Sequence, residues 1–369
     1  MNKTKIVIAS DSFKGTLSSL DICNLFRQEL EKKKDVSATY LPIADGGEGS
    51  LEAISNAIDG RFIDIEVTGL YFQKVKTHFY VDINNNAYIE TASCCGLVSA
   101  RSDNDPGKVT TLGLGEQIVK AKELECKNIY IFLGGSASND GGTGLACALG
   151  TKFYDKNDNE FIPTGLTLKD VVRIDNSNHL DVNITILSDV KSPFYGIEGA
   201  AYKFAAQKGA SKEEMKLLDE GLEHLSNAIK KDLNKDISNI PGAGAAGGLG
   251  GGLLAFADAT MKSGIDAILD LINFDEKIKD SDIVISGEGK LDKQTYDGKV
   301  IDGIAKRCEK YHKPLIVIVG VSEISLEELK KIYPCVLGLY ETNEKHLPFE
   351  EIKQTAKKDY QKIIKKILN

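Results

Sequence analysis

The spacing of hydrophobic residues near the start of the chain changes in a regular order. An unbroken apolar run at 6–9 predicts a short buried strand, and alternation at 36–41 predicts a second one. Between them, Ser18 suits a helix N-cap, and apolar residues at 22–30 recur on one helical face. Another helix is predicted at 51–58. This order of strand, helix, strand and helix favours a parallel sheet with crossover helices.

The C-terminal part of the sequence repeats this order. Apolar runs at 283–285, 315–319 and 335–339 predict strands, with a helix at 298–311 between the first two. Ser325 and the Glu three positions later form a capping box for a further helix. A lysine-rich amphipathic helix closes the sequence, and its lysines are typical of a solvated face. Both ends therefore predict parts of one α/β domain with an open, mostly parallel (Rossmann-like) sheet.

The middle of the chain has a different pattern. Residues 74–83 and 87–91 flank three asparagines and predict a β-hairpin. Strands are also predicted at 128–133 and 183–188, and Ser211 caps a helix running toward residue 231.

We therefore predict two α/β domains, one of them inserted into the other. Residues 1–67 and 280–369 would form the Rossmann-like domain, because both segments resemble halves of one open sheet. Residues 68–279 would form the inserted α/β domain. Chain termini often lie close together in space, which suits this arrangement.

Composition excludes several kinds of partner. The 369 residues carry a net charge of −8 and contain no long basic block, so nucleic-acid binding is disfavoured. The longest apolar runs are far too short to span a bilayer, and the N-terminus has no signal-peptide pattern. Seven cysteines occur without a Cys-x-x-Cys motif. Reduced thiols in a cytoplasmic protein are the simplest interpretation. A homo-oligomer remains possible.

Polar segments containing glycine follow five of the predicted strands. They lie at 11–16, 45–49, 134–142, 188–190 (leading to 207–209) and 286–292. Ligands of open α/β sheets bind outside the carboxyl ends of strands, where these segments are expected. Any one of them alone is more often a simple turn, because Gly, Asp and Asn are common turn formers. Five in one chain are harder to explain in that way.

The residue types in these segments suit phosphoryl transfer. Glycine lets backbone N–H groups approach an anion, and lysine neutralises phosphate or carboxylate. Carboxylates could hold Mg²⁺ or take a proton from an attacking hydroxyl. The lysines are Lys14, Lys208 and Lys290, and the carboxylates are Asp45, Glu48, Asp189, Glu288 and Asp292.

The sequence does not provide the residue patterns that several other chemistries need. None of the five histidines lies in these segments, so a Ser-His-Asp hydrolase or a zinc site is disfavoured. The P-loop pattern does not occur. Residues 242–247 match Gly-x-Gly-x-x-Gly, but they follow no clear strand, so close packing or backbone contact with an anion is the better interpretation.

Six segments together resemble the signature blocks of the bacterial glycerate kinase family, type I. They are DSFKG at 11–15, ADGGEG at 44–49, GGSASNDGG at 134–142, QKGA at 207–210, PGAGAAGG at 241–248 and GEGKLD at 287–292. They occur in the family's order and span nearly the whole chain. The resemblance implies transfer of the ATP γ-phosphoryl group to D-glycerate, giving 2-phosphoglycerate, with Mg²⁺ assistance in the cleft between the domains. The family block Cys-Asp-Val-x-Asn-Pro-Leu reads SDVKSPF at 188–194, so the Asp is kept and the neighbouring amide is lost.

The resemblance and the residue chemistry together suggest roles, which could be permuted. Asp189 is the first candidate for general base or metal ligand, Asp45 is the second, and Lys14 would meet the carboxylate or the transferring phosphate. Glu288 is the other candidate metal ligand. Substrate or phosphate contacts are expected from Asp11, Ser12, Lys14, Glu48, Gly134, Gly135, Ser136, Asn139, Asp140 and Lys208. Nucleotide contacts are expected from Gly287, Glu288, Lys290 and Asp292.

Two other functions remain open on the residues alone. A Mg²⁺-dependent phosphatase could use the same carboxylates without ATP. A non-enzymatic protein could clamp a small sugar acid between two α/β domains, with tight binding and no turnover.

Overall fold

A computed structural model describes residues 3–47, 49–97, 99–177 and 180–368. The chain divides into two compact units. Unit 1 comprises Met1–Asp45, Glu52–Ile58 and Ser263–Asn369, and unit 2 comprises Gly46–Leu51 and Asp59–Lys262. The domain boundaries expected from the sequence stay a prediction.

The described residues form fourteen strands and twelve α-helices. In chain order the strands are β1 (Thr4–Ser10), β2 (Val36–Pro42), β3 (Gly60–Thr68), β4 (Lys74–Asp82), β5 (Ala87–Glu90), β6 (Asn128–Phe132), β7 (Lys152–Tyr154), β8 (Glu160–Phe161), β9 (Arg173–Asp175), β10 (Asn183–Leu187), β11 (Thr260–Lys262), β12 (Ile283–Leu291), β13 (Leu315–Ser322) and β14 (Val336–Glu341). The helices are α1 (Ser19–Leu30), α2 (Ser50–Ala57), α3 (Ala92–Cys95), α4 (Leu112–Glu123), α5 (Thr143–Ala148), α6 (Lys212–Leu233), α7 (Leu249–Phe256), α8 (Gly264–Leu271), α9 (Phe274–Lys279), α10 (Val300–Lys310), α11 (Leu326–Ile332) and α12 (Phe349–Leu368). Short 3₁₀ helices lie at Gly165–Asp170, Ala206–Lys208 and Lys293–Asp297, and a π-helical turn lies at Ala201–Ala205.

Three helices begin at the serines that the sequence indicates. The Ser18 hydroxyl accepts a hydrogen bond from the Asp21 N–H at 3.0 Å, and the Asp21 carboxylate accepts from the Ser18 N–H at 3.2 Å. Ser211 and Ser325 form the same reciprocal capping box at the starts of α6 and α11. Each box satisfies two N–H groups that the helix leaves unpaired, which confirms these three predictions.

Unit 1 is built on a five-stranded parallel sheet with the order β14-β13-β12-β1-β2. Ile6 and Ile8 of β1 pack on one face with Phe26 of α1 and Tyr360 of α12. Helix α10 packs against β12 and β13. The predicted α/β fold with an open parallel sheet is thus confirmed, and both ends of the sequence contribute strands to it.

The segment at 286–292 is not a loop, which corrects the sequence prediction. Strand β12 continues to Leu291, and Glu288 and Lys290 pair with Val319 and Val321 of β13. The glycines here permit close strand approach rather than a turn, because a Cβ at Gly287 would lie 2.1 Å from the Ile318 carbonyl oxygen. The carboxylate of Glu288 is therefore fixed by a paired strand.

Unit 2 contains a six-stranded sheet with the order β11-β10-β6-β5-β4-β3. The β3–β4 and β4–β5 pairs are antiparallel, and the other pairs are parallel. The predicted hairpin corresponds to β4 and β5. Its turn is closed by the Asp82 carboxylate, which accepts hydrogen bonds from the N–H groups of Asn84 and Asn86. Strand β3 and the small sheet β8-β7-β9 were not predicted.

Two chain-wide features concern the environment of the protein. Among the described residues, none of the helices combines the length and the apolar character needed to cross a bilayer. All seven cysteines are free thiols, and five of them are buried.

Candidate active site

The strand order of unit 1 creates a switch point between β1 and β12. Along the chain these strands are the first and third of the unit, while β2 lies on the other side of β1. The crossover connections that follow β1 and β12 therefore run to opposite sides, which opens a crevice at the carboxyl ends of these two strands. Asp11 directly follows β1, and its N–H donates to the Gly287 carbonyl of β12 at 2.9 Å. Glu288 is the next residue of β12.

A cavity of about 330 Å³ lies at this point of unit 1. Its size falls within the range of small-molecule sites, roughly 300–1,000 Å³. It contains the predicted residues Asp11, Ser12, Lys14, Asp45, Glu288 and Lys290. The remaining lining residues are Phe13, Thr16, Leu17, Gly289, Lys299, Gly320, Thr342, Asn343, Phe349, Ile352, Ala356 and Asp359.

Asp11 has the most strongly perturbed carboxyl group at the charged end of the cavity. Its pKa is raised from 3.8 to about 7, first by burial and then by the Asp45 carboxylate, with a further contribution from Glu288. The Ser12 N–H, which donates to Asp11 Oδ1 at 2.6 Å, and Lys14 act in the opposite direction. Near neutral pH, Asp11 is thus divided between its ionised and protonated forms.

Glu288 has a similar environment. Its side chain is 4% exposed, and burial is the main cause that raises its pKa from 4.5 to about 7. The Thr295 hydroxyl donates to Glu288 Oε1 at 2.5 Å and, with Lys299, favours the ionised form. Asp45 acts in the other direction. Buried carboxyl groups with such pKa values, placed in a cavity, are typical of catalytic and ligand-binding positions.

Lysines surround this carboxyl cluster. Lys14 is exposed and lines the cavity. Lys290 Nζ lies 2.8 Å from Glu323 Oε1 and 3.3 Å from Asp292 Oδ2, while Lys299 Nζ lies 3.8 Å from the other Asp292 oxygen. Asp292 does not line the cavity itself, but its carboxylate contacts two lysines that do.

The sequence interpretation missed several lining residues. Lys299 lies beyond the segment at 286–292, in a polar stretch that ends at the start of α10, and the same stretch contains Thr295, the hydrogen-bond donor to Glu288. Thr342 and Asn343 follow β14, so the rule about carboxyl ends of strands, applied to this last strand, would have indicated them. Phe349 begins α12 and carries no sequence signal of its own.

The remaining predicted residues belong to unit 2. In the segment at 134–142, Gly135 is exposed and Gly134 is partly exposed, while Ser136, Asn139 and Asp140 are buried. The exposed part of this predicted phosphate cradle is thus the pair of glycines at its start.

Asp140 holds the rest of that segment in place. Its carboxylate accepts from the N–H and the hydroxyl of Thr111, both at 2.8 Å, and from the N–H groups of Gly142 and Gly144 at 3.1 and 3.3 Å. Burial nevertheless raises its pKa. These four bonds describe a carboxylate that organises backbone, and its predicted contact with substrate stays a prediction.

Lys208 is buried beside this segment. Its ammonium group donates to the Ser138 carbonyl at 2.7 Å, and its side chain is 3% exposed. Burial lowers its pKa from 10.5 to about 7, although Asp140 acts in the opposite direction. The side-chain amide of Asn139 is also buried and has no partner within the described residues.

The other two predicted residues of this unit lie apart from that segment in the sequence. Asp189 follows β10 and is partly exposed. Glu48 lies outside the described residues.

Glycines at 242–252 pack against the Gly134–Gly142 segment. A Cβ at Gly247 would lie 2.1 Å from the Ser138 carbonyl oxygen, and one at Gly252 would lie 2.4 Å from that of Gly141. Residues 241–248 form turns that lead into α7, so the Gly-x-Gly-x-x-Gly match does not follow a strand. Close backbone packing explains these glycines.

Comparison with known proteins identifies the family. The model of the Glycerate kinase family matches residues 6–369. The chain is 41% identical over 323 residues to a glycerate 2-kinase of Escherichia coli, covering 86% of this chain and 85% of that protein. It is 40% identical over 327 residues to a glycerate kinase of Bacillus cereus, with the same shares covered.

A solved structure agrees. The crystal structure of a candidate glycerate kinase 2 from Salmonella typhimurium superposes with a TM-score of 0.85 at 35% identity, covering 99% of this chain and 97% of that one. An α/β protein with a charged cavity at a sheet switch point is a common architecture for enzymes that bind small phosphorylated molecules. This chain belongs to the glycerate kinase family, which confirms the resemblance seen in the sequence.

Proposed function

We propose that this protein transfers the γ-phosphoryl group of ATP to D-glycerate, giving ADP and 2-phosphoglycerate. The observation that carries the proposal is the match of residues 6–369 to the glycerate kinase family, with 41% identity to a protein named glycerate 2-kinase. The phosphatase and the binding-protein alternatives are not favoured, because the curated relatives named above are called kinases.

The charged cavity of unit 1 suits the reactants. Glycerate carries a carboxylate and adjacent hydroxyl groups, and ATP carries a polyphosphate, so both need cationic partners. Lys14, Lys290 and Lys299 supply positive charge at or beside the cavity. We assign Lys14 and Ser12 to the glycerate carboxylate or the transferring phosphate, because both lie in the turn that follows β1.

The reaction also needs a proton acceptor. The glycerate 2-hydroxyl oxygen forms a bond to the γ-phosphorus, the bond from that phosphorus to the β–γ bridging oxygen breaks, and the hydroxyl proton passes to a carboxylate. Asp11 and Glu288, with pKa values of about 7, are stronger proton acceptors when ionised than ordinary carboxylates. Asp45, which lies in the same cavity, is a third candidate.

The same carboxylates fit Mg²⁺. Asp11 and Glu288 have raised pKa values because they are desolvated near other carboxylates, and a divalent cation would favour their ionised forms. No set of three acidic, histidine or cysteine side chains among the described residues could hold a metal ion by itself. Mg²⁺ is usually held by one or two carboxylates together with substrate phosphates and waters. When bound, it would neutralise charge on the phosphate oxygens.

Asp189 keeps its place as a proposed base or metal ligand. If it is the base, Asp189→Asn should lower kcat by about 10²-fold or more. The exposed Asp181, eight residues earlier, gives a matched control, and Asp181→Asn should leave kcat unchanged. Near-normal turnover of the Asp189 variant would remove this residue from the mechanism.

A coupled assay that follows ADP formation tests the proposed reaction. We expect ADP to form only when D-glycerate is present, and ³¹P NMR should show phosphate on the 2-oxygen. Release of inorganic phosphate from phosphoglycerate without nucleotide would instead indicate a phosphatase. Tight glycerate binding without turnover would indicate a binding protein. The free cysteines suit a reducing compartment, so we place the reaction in the cytoplasm.

A further inference from the structure

We propose that the apolar end of the unit 1 cavity binds the adenine base of the nucleotide, with the Phe349 ring as the surface on which the base lies. This inference rests on the proposed kinase function, and it assigns a subsite to residues that the sequence interpretation did not consider.

Two chemically different groups of side chains line the cavity. One group consists of the carboxyl and lysine side chains described above. The other group, called here the apolar end, comes from the β1–α1 turn and the first turns of α12 and consists of Phe13, Leu17, Phe349, Ile352 and Ala356. Asp359, in the following turn of α12, also lines the cavity. Pockets for cofactor-sized ligands commonly combine such an apolar surface with a few polar groups that fix orientation.

Phe349 is unusual among these residues because of its exposure. Phe13 and Leu17 are buried at 5% and 3% exposure, whereas Phe349 is 48% exposed. An exposed ring at the edge of a concave apolar surface offers a face to a planar ligand, and stacking on aromatic rings is a general way to bind a nucleobase.

Gly15 holds this ring close to the charged end. A Cβ at Gly15 would lie 2.6 Å from Phe349 Cζ, so the ring lies directly against the backbone of that residue. Gly15 also has φ +76°, a left-handed conformation that favours glycine. The next residue toward the N-terminus is Lys14, which lines the cavity. The proposed base surface and a phosphate-binding lysine therefore share one turn.

The nucleotide is the reactant that matches both ends. Each of the three carbons of glycerate carries a polar group, so glycerate has no apolar face to place against Phe349, Ile352 and Ala356. ATP has a flat base at one end and an anionic polyphosphate at the other. A single ATP lying along the cavity would satisfy both linings at once.

A neighbouring cavity of about 630 Å³ is a competing location among the described residues of unit 1. It shares Lys290 with the first cavity and contains one aromatic ring, that of Tyr296. Its other lining residues are mostly charged, with only Ile324 and Ile332 as apolar partners. The smaller cavity therefore suits a base better.

The test compares a ligand that has a base with one that lacks it. Dissociation constants of ADP and of inorganic tripolyphosphate are measured by calorimetry for the full-length wild type and for Phe349→Ala. We expect ADP binding to weaken by about 5- to 150-fold, the range for losing one base–aromatic stack. Tripolyphosphate binding should change by less than about twofold, since its contacts lie at the lysine end. A general loss of structure would weaken the binding of both ligands.

Further variants complete the test. Phe349→Leu, which keeps apolar bulk without the ring, should give an intermediate loss. Phe62, in β3 of the other unit, is 49% exposed, so Phe62→Ala is an exposure-matched control that should bind both ligands normally. Unchanged ADP affinity in Phe349→Ala, or selective loss of ADP in Tyr296→Ala, would overturn the inference. Steady-state assays distinguish failure of the kinase function from failure of the base subsite. If the wild type forms no ADP in response to glycerate, the kinase function is refuted. If the wild type is active and Phe349→Ala has the same KM for ATP, only the base subsite is refuted.

Discussion

Replacing Glu288 by glutamine should increase the stability of the ligand-free protein at neutral and alkaline pH, even though it damages the proposed active site. Glu288 is 4% exposed, and burial is the main cause that raises its pKa from 4.5 to about 7. The folded chain therefore binds this proton more tightly than the unfolded chain does. Above pH 4.5 the unfolded chain releases this proton, while the folded chain keeps it up to about pH 7. Ionisation of Glu288 therefore favours the unfolded chain, and the stability of the wild type falls as the pH rises.

The magnitude follows from the two pKa values. Stability from this group is fully present below pH 4.5, falls as the pH rises, and reaches its minimum above about pH 7. At about 1.4 kcal/mol per pH unit, the total difference is about 3 kcal/mol. Glutamine cannot ionise, and its side-chain oxygen can still accept the Thr295 hydrogen bond. The stability of Glu288→Gln relative to wild type should thus rise by about 3 kcal/mol between pH 4.5 and 8.

Urea unfolding at several pH values measures this difference. Circular dichroism is the suitable signal, because the chain contains no tryptophan. Comparing the change with pH, rather than one absolute value, removes any constant cost of the substitution. Glu350→Gln is a matched control on an exposed residue, whose carboxylate stays in water in both states, and it should show no such rise. A stability difference for Glu288→Gln that is independent of pH would refute the reasoning.

Three further outcomes are expected. If the ionised forms of Asp11 and Glu288 are needed, kcat/KM should fall as the pH drops below about 7; a profile that stays flat down to pH 5 would contradict this. Lys208→Met should gain stability relative to wild type as the pH falls from 10.5 to about 7, by up to about 5 kcal/mol, because in that window the unfolded wild-type chain binds a proton at Lys208 and the folded chain, with its buried amine, does not. Thermal unfolding at pH 10 and pH 7 checks the sign. Gly247→Ala should cost about 2–4 kcal/mol in urea unfolding, because it adds a clash 2.1 Å from a carbonyl oxygen to the strain of φ +71°. Gly196→Ala, at φ +92° with nothing within 4 Å, should show the strain alone, and equal losses in the two variants would argue against the clash.

Much of unit 1 could be predicted from the sequence because its signals are local. The buried strand at 6–9 and the serine caps at Ser18 and Ser325 depend on neighbouring residues, and each agrees with the structure. The block at 286–292 was misjudged because its pairing partner is β13, whose contribution to the register cannot be read from glycines and charges within the block. Strand β3 is a different case, because Ile63, Ile65 and Val67 alternate with polar residues, and this local pattern by itself indicates a strand.

The candidate site was predictable only in part. Asp11, Lys14, Asp45 and Glu288 all belong to strand-end segments of the sequence, and they line one cavity of unit 1. Phe349 has no such signal, because its place beside Gly15 depends on how α12 returns to the β1–α1 turn. The raised pKa values of Asp11 and Glu288 likewise depend on burial, which a strand-end motif does not specify.

The position of β1 between β2 and β12 in its sheet affects the order in which the sheet can be completed on the ribosome. One neighbour, β2, ends about 30 residues after β1 does, but the other, β12, ends about 280 residues after it. At about 5–20 residues per second, roughly 15–55 s pass before the second hydrogen-bonding partner of β1 has been synthesised. Throughout that interval an apolar strand has an open edge, the feature through which nascent chains most readily associate with one another. All residues of unit 2 are synthesised after β2 and before β12, so they can fold before β1 has its second partner strand.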